Sequence, residues 1–178
     1  MRYFSGFCLE GESALFDEII GDSKDNPYVV AGFSFGAIGA LEYALSTERR
    51  IDRLILLSPS YFVGSQKSFI KAQLFYFKKD SDSYIRKFLE NAAYPCGKTL
   101  LHPYLKPGSQ QELEELLTYE WPAQKLERVS EKGTRIEVYL GAQDRVVDAH
   151  RAHTFFKSFG ESYLFKDYGH ILKGAEFG

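Results

Sequence analysis

The run Tyr28-Val29-Val30-Ala31-Gly32-Phe33-Ser34-Phe35-Gly36-Ala37-Ile38-Gly39-Ala40 decides how the rest of the chain reads. An apolar strand leads into Gly-x-Ser-x-Gly, and a small-residue helix follows. A strand that reverses into a helix so tightly has no room for side chains two positions before and after the serine. The same turn lifts the Ser34 hydroxyl above the strand end, at the helix N-terminus, where a nucleophile stands clear of the backbone. The five letters alone are a weak signal; the flanking strand and helix make it specific.

Outward from this run, strands alternate with helices. Arg2 to Ser5 predicts a short strand, followed by the loop Gly6-Phe7-Cys8. An amphipathic helix is expected from about Glu12, with Leu15, Phe16, Ile19 and Ile20 at helical spacing, ended by the stretch Gly21 to Pro27. Tyr28 to Ala31 and Arg53 to Leu57 carry continuous apolar runs, as strands do when helices cover both faces of a parallel sheet. Thr134 to Leu140 and Ser162 to Phe165 complete a set of five. Between these two, Asp148 is the expected N-cap of a helix closed by Gly160, with Ala152, Phe155, Phe156 and Phe159 on its buried face. The pattern predicts an α/β fold with about five parallel strands.

From about Tyr61 to Ser130 only helix signals appear: Phe69 to Lys79, Asp82 to Asn91, a Ser109-x-x-Glu112 capping box ahead of Leu113, Leu116 and Leu117, and Ala123 to Arg128. This predicts a helical cap inserted at about 61–130 in a single domain spanning 1–178. Pro95, Pro103, Pro107, Gly97 and Gly108 divide it into pieces able to shift over the sheet.

At 178 residues, 44% of them hydrophobic, the chain can bury one sizeable core but hardly two. A net charge of -2 argues against generic nucleic-acid binding, which needs a basic excess over the whole domain. No apolar stretch is long enough for a membrane span and no signal-peptide pattern opens the chain, so a soluble cytoplasmic protein is expected. Cys8 and Cys96 share no metal spacing and read as free thiols without an assigned role.

Acyl transfer by a serine needs a base, a carboxylate to orient the base, and backbone donors for the oxyanion. Asp144 follows the strand ending Val138-Tyr139-Leu140-Gly141, and His170 follows the last strand in Lys166-Asp167-Tyr168-Gly169-His170. Sites in open α/β sheets form beyond the carboxyl ends of strands, so Ser34, Asp144 and His170 are expected on one sheet edge. Their chain order, Ser, Asp, His, is the order of the hydrolase sheet. The expected oxyanion donors are the amides of Phe35 and Phe7, neither of which depends on its side chain. Each position also has a plainer reading: Ser34 a helix cap, Asp144 a surface turn, His170 a C-terminal surface histidine. Their joint agreement favours chemistry. His150 and His153 are expected to face solvent; His102, between prolines, is either structural or lines a pocket. This chemistry requires no metal and no organic cofactor.

These residues resemble the α/β-hydrolases, and more narrowly the pimeloyl-acyl-carrier-protein methyl ester esterases of biotin synthesis, especially the short BioV type. The resemblance rests on Arg2-Tyr3-Phe4-Ser5-Gly6-Phe7, on Gly32-Phe33-Ser34-Phe35-Gly36-Ala37-Ile38 with Glu42-Tyr43-Ala44, on Ser58-Pro59, on Gly141-Ala142-Gln143-Asp144 and on Gly169-His170. It spans nearly the whole chain and covers the cap loosely. It implies a minimal α/β-hydrolase with catalytic Ser34, Asp144 and His170, removing a methyl ester from a pimeloyl chain on acyl carrier protein and releasing methanol. The chain departs from the common hydrolase pattern in lacking two N-terminal strands, and in carrying Ser5-Gly6 where the oxyanion loop usually has His-Gly.

An acidic carrier protein would need a basic surface. Between Tyr61 and Gln110 lie eight basic residues (Lys67, Lys71, Lys78, Lys79, Arg86, Lys87, Lys98, Lys106) and three acidic ones (Asp80, Asp82, Glu90), a local excess of +5. On a helical wheel Lys67, Lys71 and Lys78 fall opposite Phe69, Ile70, Tyr76 and Phe77. Lys67, Lys71, Lys78 and Arg86 are therefore the expected carrier contacts; a solvated lysine face over core aromatics is the plain alternative. Two other functions fit the same residues: a general small-ester carboxylesterase or acyl thioesterase, and a non-catalytic binding module on a hydrolase fold.

Overall fold

The computed structural model describes residues 1–177, without the side chains of Lys98 and Phe177, so the Lys98 side chain of the basic stretch lies outside what is described. Five strands form one sheet: β1 (Arg2–Phe4), β2 (Val29–Phe33), β3 (Arg53–Leu57), β4 (Arg135–Gly141) and β5 (Glu161–Phe165), in the order β1-β2-β3-β4-β5. Every neighbouring pair is parallel, and the register places Phe4 beside Gly32 and Phe33 beside Leu57. All carboxyl ends thus share one margin. No helix among the described residues is long and apolar enough to cross a membrane.

Successive residues of a strand face opposite sides, and the two sides of this sheet are covered differently. Val30, Leu54, Leu56, Val138 and Leu140 pack on α2 (Gly36–Ser46), α6 (Ala123–Glu131) and α7 (Ala149–Phe156) through Ile38, Leu41, Leu126, Val129, Ala152 and Phe156. Val29, Ala31, Phe33, Ile55 and Leu57 meet irregular pieces on the other side. The single helix expected from Glu12 is there a 3-10 turn (Glu12–Phe16), a short α1 (Asp17–Ile20) and a second 3-10 turn (Gly21–Ser23). Isolated short helices are marginal, and tight 3-10 winding is a common form for their ends. Ile171 and Leu172 complete this face.

The insertion consists of α3 (Lys67–Lys79), α4 (Ser81–Ala93), 3-10 winding over Lys98–Tyr104, and α5 (Gln110–Thr118). Asp80 caps α4 by accepting from the Ser83 amide, and Ser109 with Glu112 forms the expected capping box on α5. Phe77, Leu113, Leu116 and Leu117 bury themselves with Phe7 and Cys8, and Phe35, Phe62 and Phe88 pack around them. The far end of α4 does more than cap: Leu89, Ala92 and Ala93 cover the second sheet face. Although α6 lies within the expected cap stretch, it packs on α2 and β4, so the part standing over the margin ends near Thr118.

The expected wheel of α3 is half right. Ile70 and Phe77 pack inward, but Phe69 and Tyr76 are exposed, because Leu74 and Gln73 share the inner stripe and rotate it toward the lysines. The predicted helix after Asp148 ends at Phe156, short of Gly160, which instead lets the chain pass β4: a Cβ there would lie 2.3 Å from the Ile136 carbonyl oxygen.

Candidate active site

The margin is built by glycines that let backbones touch. Ser34 adopts φ 52°, in the left-handed region that side-chain-bearing residues avoid. A Cβ on Gly32 would lie 2.3 Å from the Gly36 carbonyl oxygen, and one on Gly36 would lie 2.1 Å from that of Phe4. The Ser34 amide donates to the Leu57 carbonyl at 2.9 Å, and its own carbonyl accepts from the amides of Ala37 and Ser60 at 3.1 and 3.3 Å. The turn is thereby fixed from both sides and sets Oγ above β2, at the start of α2.

Asp144 and His170 reach the same point from β4 and the segment after β5. Gly141 permits it: a Cβ there would lie 2.3 Å from the carbonyl oxygens of Tyr168 and Gly169. The Ala142 and Gln143 amides donate to the carbonyls of Phe165 and Tyr168 at 2.8 and 2.9 Å, binding the two loops together. Asp144 Oδ1 accepts from the Val146 and Val147 amides at 2.7 and 3.0 Å, leaving Oδ2 to His170 Nδ1 at 2.6 Å. His170 Nε2 lies 2.9 Å from Ser34 Oγ. Because a carboxylate only accepts, Nδ1 carries the proton in the neutral imidazole and Nε2 presents its lone pair to the Ser34 hydroxyl.

The site is dry. Ser34 is 1% exposed and His170 is fully buried against the Phe33 ring, whose centroid is 5.1 Å from the imidazole. Low surrounding polarity strengthens each hydrogen bond in the chain. The amides of Phe35, at the start of α2, and of Phe7, after Gly6, have no acceptor among the described residues, and such amides at a helix N-terminus favour developing negative charge. The side chains of both residues pack into the apolar cluster under the insertion, which ties these amides to the helices above. The segment Tyr104–Lys106 runs beside the same loop: the Glu10 amide donates to the Tyr104 carbonyl at 2.8 Å, and the Lys106 amide to that of Cys8 at 3.0 Å. Burial, with the Glu112 charge adding, pushes the Cys8 thiol up to about 12, so it stays a protonated packing residue.

A cavity of about 190 Å³ lies between the insertion and the Asp144 loop, lined by Phe62, Phe69, Tyr84, Phe88, Leu117 and Val146, with Lys87 and Arg145 bringing charge to it. None of the four expected carrier contacts lines this cavity. Lys67 and Lys71 line a groove between α3 and the end of α5 that also holds Glu114 and Glu120, while Arg86 lines a separate one with His102 and Lys106. Lys78 is exposed on α3. His153, expected to face solvent, sits instead against β5, its Nδ1 2.9 Å from Ser162 Oγ, while His150 is exposed.

Sequence reasoning passed over Glu12 and Ser60. Glu12 is fully buried and accepts from the Gly6 amide, and Ser60 holds the Ser34 carbonyl while accepting from Trp121 Nε1. Both act on backbone groups, which leave no side-chain pattern in the sequence.

No family model matches the sequence, and neither does any curated protein. Solved structures do. An esterase from Exiguobacterium antarcticum superposes with a TM-score of 0.54 over 94% of this chain and 72% of its own, at 18% identity. Naproxen esterase (carboxylesterase NP) of Bacillus subtilis gives 0.60 over 96% of this chain and 76% of its own, at 15% identity. BioG of Haemophilus influenzae gives 0.59 over 96% of this chain and 87% of its own, at 11% identity. The likeness at these identities is one of fold, the fold of the α/β-hydrolases.

Proposed function

We propose that this protein is a serine carboxylesterase that hydrolyses the methyl ester of a pimeloyl chain carried on acyl carrier protein, in biotin biosynthesis. The observation that carries the chemical half is the unbroken hydrogen-bond chain from Asp144 Oδ2 through His170 to Ser34 Oγ, at 2.6 and 2.9 Å. His170 Nε2 takes the hydroxyl proton as Oγ attacks the ester carbonyl, and Asp144 stabilises the imidazolium that forms. The amides of Phe7 and Phe35 receive the oxyanion. The C–O bond to the leaving group then breaks, methoxide takes the proton from His170 and departs as methanol, and water hydrolyses the acyl-enzyme by the same steps.

The substrate half rests on the sequence resemblance, and two features support it. The aromatic cavity that reaches Arg145 and Val146, next to Asp144 in the chain, suits an apolar chain, and Lys87 and Arg145 bring charge to its lining. The basic excess of the insertion suits an acidic carrier. A second reading, a general small-ester carboxylesterase or acyl thioesterase, draws support from the small size of that cavity and from fold neighbours described as esterases.

The test is turnover of a short-chain aryl ester and of methyl-pimeloyl carrier protein by the wild type and by Ser34→Ala. Loss of about 10⁵-fold or more in kcat on both is expected. Activity surviving the substitution would remove Ser34 as nucleophile, and aryl ester turnover without carrier turnover would favour the second reading.

A further inference from the structure

Glu12 is a fully buried acid that pairs with no cation among the described residues. Burying a carboxyl group is costly unless it is well bonded, yet only Oε1 is bonded, accepting from the Gly6 amide at 2.8 Å and from the Tyr3 hydroxyl at 3.1 Å. Oε2 has no partner among the described residues. An apolar side chain of similar size would fill the space but leave the Gly6 amide and the Tyr3 hydroxyl without this acceptor, so these two bonds are what need an acid or amide there.

That bond fixes the loop next to the nucleophile. Gly6 is pressed on the other side by Phe33, since a Cβ on it would lie 2.8 Å from Phe33 Cδ1. The loop is closed a second time where the Gly11 amide donates to Ser5 Oγ at 3.1 Å. With the Gly6 amide turned to Glu12, its Cα against Phe33 and its carbonyl accepting from the Leu9 amide at 3.2 Å, the next peptide has little freedom, and that peptide carries the Phe7 amide.

We propose that Glu12 is a positioning residue that holds the Gly6–Phe7 peptide in the orientation in which the Phe7 amide receives the oxyanion. This rests on the esterase reading above. What Glu12 must supply is an acceptor oxygen at the right reach, so charge is dispensable and length is not. Gln offers the same oxygen at the same reach to the Gly6 amide and the Tyr3 hydroxyl, with its amide nitrogen in the place of Oε2; Asp keeps the carboxyl group but falls one methylene short.

The experiment compares wild type, Glu12→Gln, Glu12→Asp and Glu12→Ala on a short-chain aryl ester, with inhibition by a trifluoromethyl ketone that forms a tetrahedral adduct. Thermal midpoints identify the folded variants, and a fluorophosphonate probe reports on Ser34 in the wild type. Glu12→Gln is expected within about 3-fold of wild-type kcat, whereas Glu12→Asp and Glu12→Ala lose roughly 30-fold or more, approaching the loss of one oxyanion donor. KM stays within about 2-fold while affinity for the ketone falls in parallel with kcat/KM, the signature of an interaction made in the transition state. Folded Asp and Ala variants with wild-type kcat, or a folded Gln variant as impaired as Ala, would overturn the assignment. If Ala and Asp do not fold, kcat of the Gln variant decides. A wild type that the fluorophosphonate leaves unlabelled would overturn the esterase reading, and this assignment with it; a labelled wild type with unaffected variants overturns this assignment alone.

Discussion

The strand margin and the helical insertion above it meet at Phe7 and Phe35, yet they are held together by different forces. At the margin, backbones approach so closely that Gly32, Gly36 and Gly141 leave no room for a methyl group, and directional hydrogen bonds fix Ser34, His170 and Asp144. The insertion is held by side-chain packing: Phe77, Leu113, Leu116 and Leu117 are buried there, while Phe69, Phe75 and Tyr76 remain exposed. A region set by backbone contact tolerates almost no change in shape, whereas one set by apolar packing tolerates repacking and gives way gradually.

A pair of identical substitutions sharpens the contrast most. Gly36→Ala puts a methyl group 2.1 Å from the Phe4 carbonyl oxygen, a backbone atom that cannot move without parting β1 from α2. Loss of about 4 kcal/mol or more, or failure to fold, is expected. Gly97→Ala in the insertion meets nothing nearer than Thr99 Oγ1 at 3.5 Å, and Gly97 has an ordinary φ of -75°. It should leave the urea midpoint unchanged or slightly raised, within ~0.5 kcal/mol. Equal costs at the two sites would abolish the distinction between margin and insertion.

This difference in force is also why the margin was legible in the sequence and the insertion less so. Steric necessity writes itself into residue identity: Gly32 and Gly36 around Ser34, Gly141 before Asp144 and Gly169 before His170 each mark a close approach. Apolar periodicity announced α3 and α5, but which way a stripe faces depends on neighbours, so Phe69 and Tyr76 came out exposed. The crossover role of α6 was hidden for the same reason, since its buried residues Leu126 and Val129 look alike whether they meet a cap or a sheet. Glu12 escaped notice because its partner is the Gly6 amide, and amides are present at nearly every position.

Within the sheet, one charged pair should behave as the margin does. Arg53 on β3 donates twice to Glu137 on β4, at 2.8 and 2.7 Å, and the Glu137 side chain is 3% exposed. Burial pushes this carboxyl up, but the Arg53 guanidinium, helped by Tyr139 and Arg135, outweighs burial and holds it below the usual carboxylate range. A depressed folded pKa means that the stabilisation is complete above the ordinary glutamate range, near ~4.3, and is lost as pH falls through that range toward the folded value. Glu137→Gln should cost about 3 kcal/mol at pH 7, because Arg53 keeps a half-buried charge without its partner. Urea unfolding at pH 7 and again near the acid limit should show the penalty shrinking as the wild-type carboxyl protonates; a penalty independent of pH would assign it to packing.

Leu117→Ala tests whether the insertion gives way by itself. Leu117 is 3% exposed within the cluster that includes Phe7, and truncating it should cost about 2–3 kcal/mol. Hydrogen exchange should quicken first in α3 and α5, while β2, β3 and β4 keep their protection. Since Phe7 and Phe35 share this cluster, kcat on an aryl ester should fall by several-fold without loss of fluorophosphonate labelling at Ser34. Uniform loss of protection across sheet and insertion would mean that the two regions unfold as one.

The smallest effect on stability and the most informative about partners comes from the lysines of α3. Lys67 and Lys71 are exposed beside a groove that already holds Glu114 and Glu120, so their fields are partly offset by neighbouring acids. Reversing both to Glu should change the unfolding free energy by no more than ~0.5 kcal/mol, as exposed helix charges generally do. It would leave aryl ester kinetics untouched, because neither residue lines the cavity that reaches Arg145 and Val146. If an acidic carrier docks on this face, KM for the carrier-linked ester rises several-fold, and raising the salt concentration moves the wild type in the same direction while affecting the variant less. Arg86→Glu separates the two basic regions, since Arg86 lines a different groove with His102 and Lys106. A rise in KM for that substitution and none for the lysines would move the docking face from the α3–α5 side of the insertion to its α4 side, and no change from either would leave the fixed margin, not the basic insertion, to select the substrate.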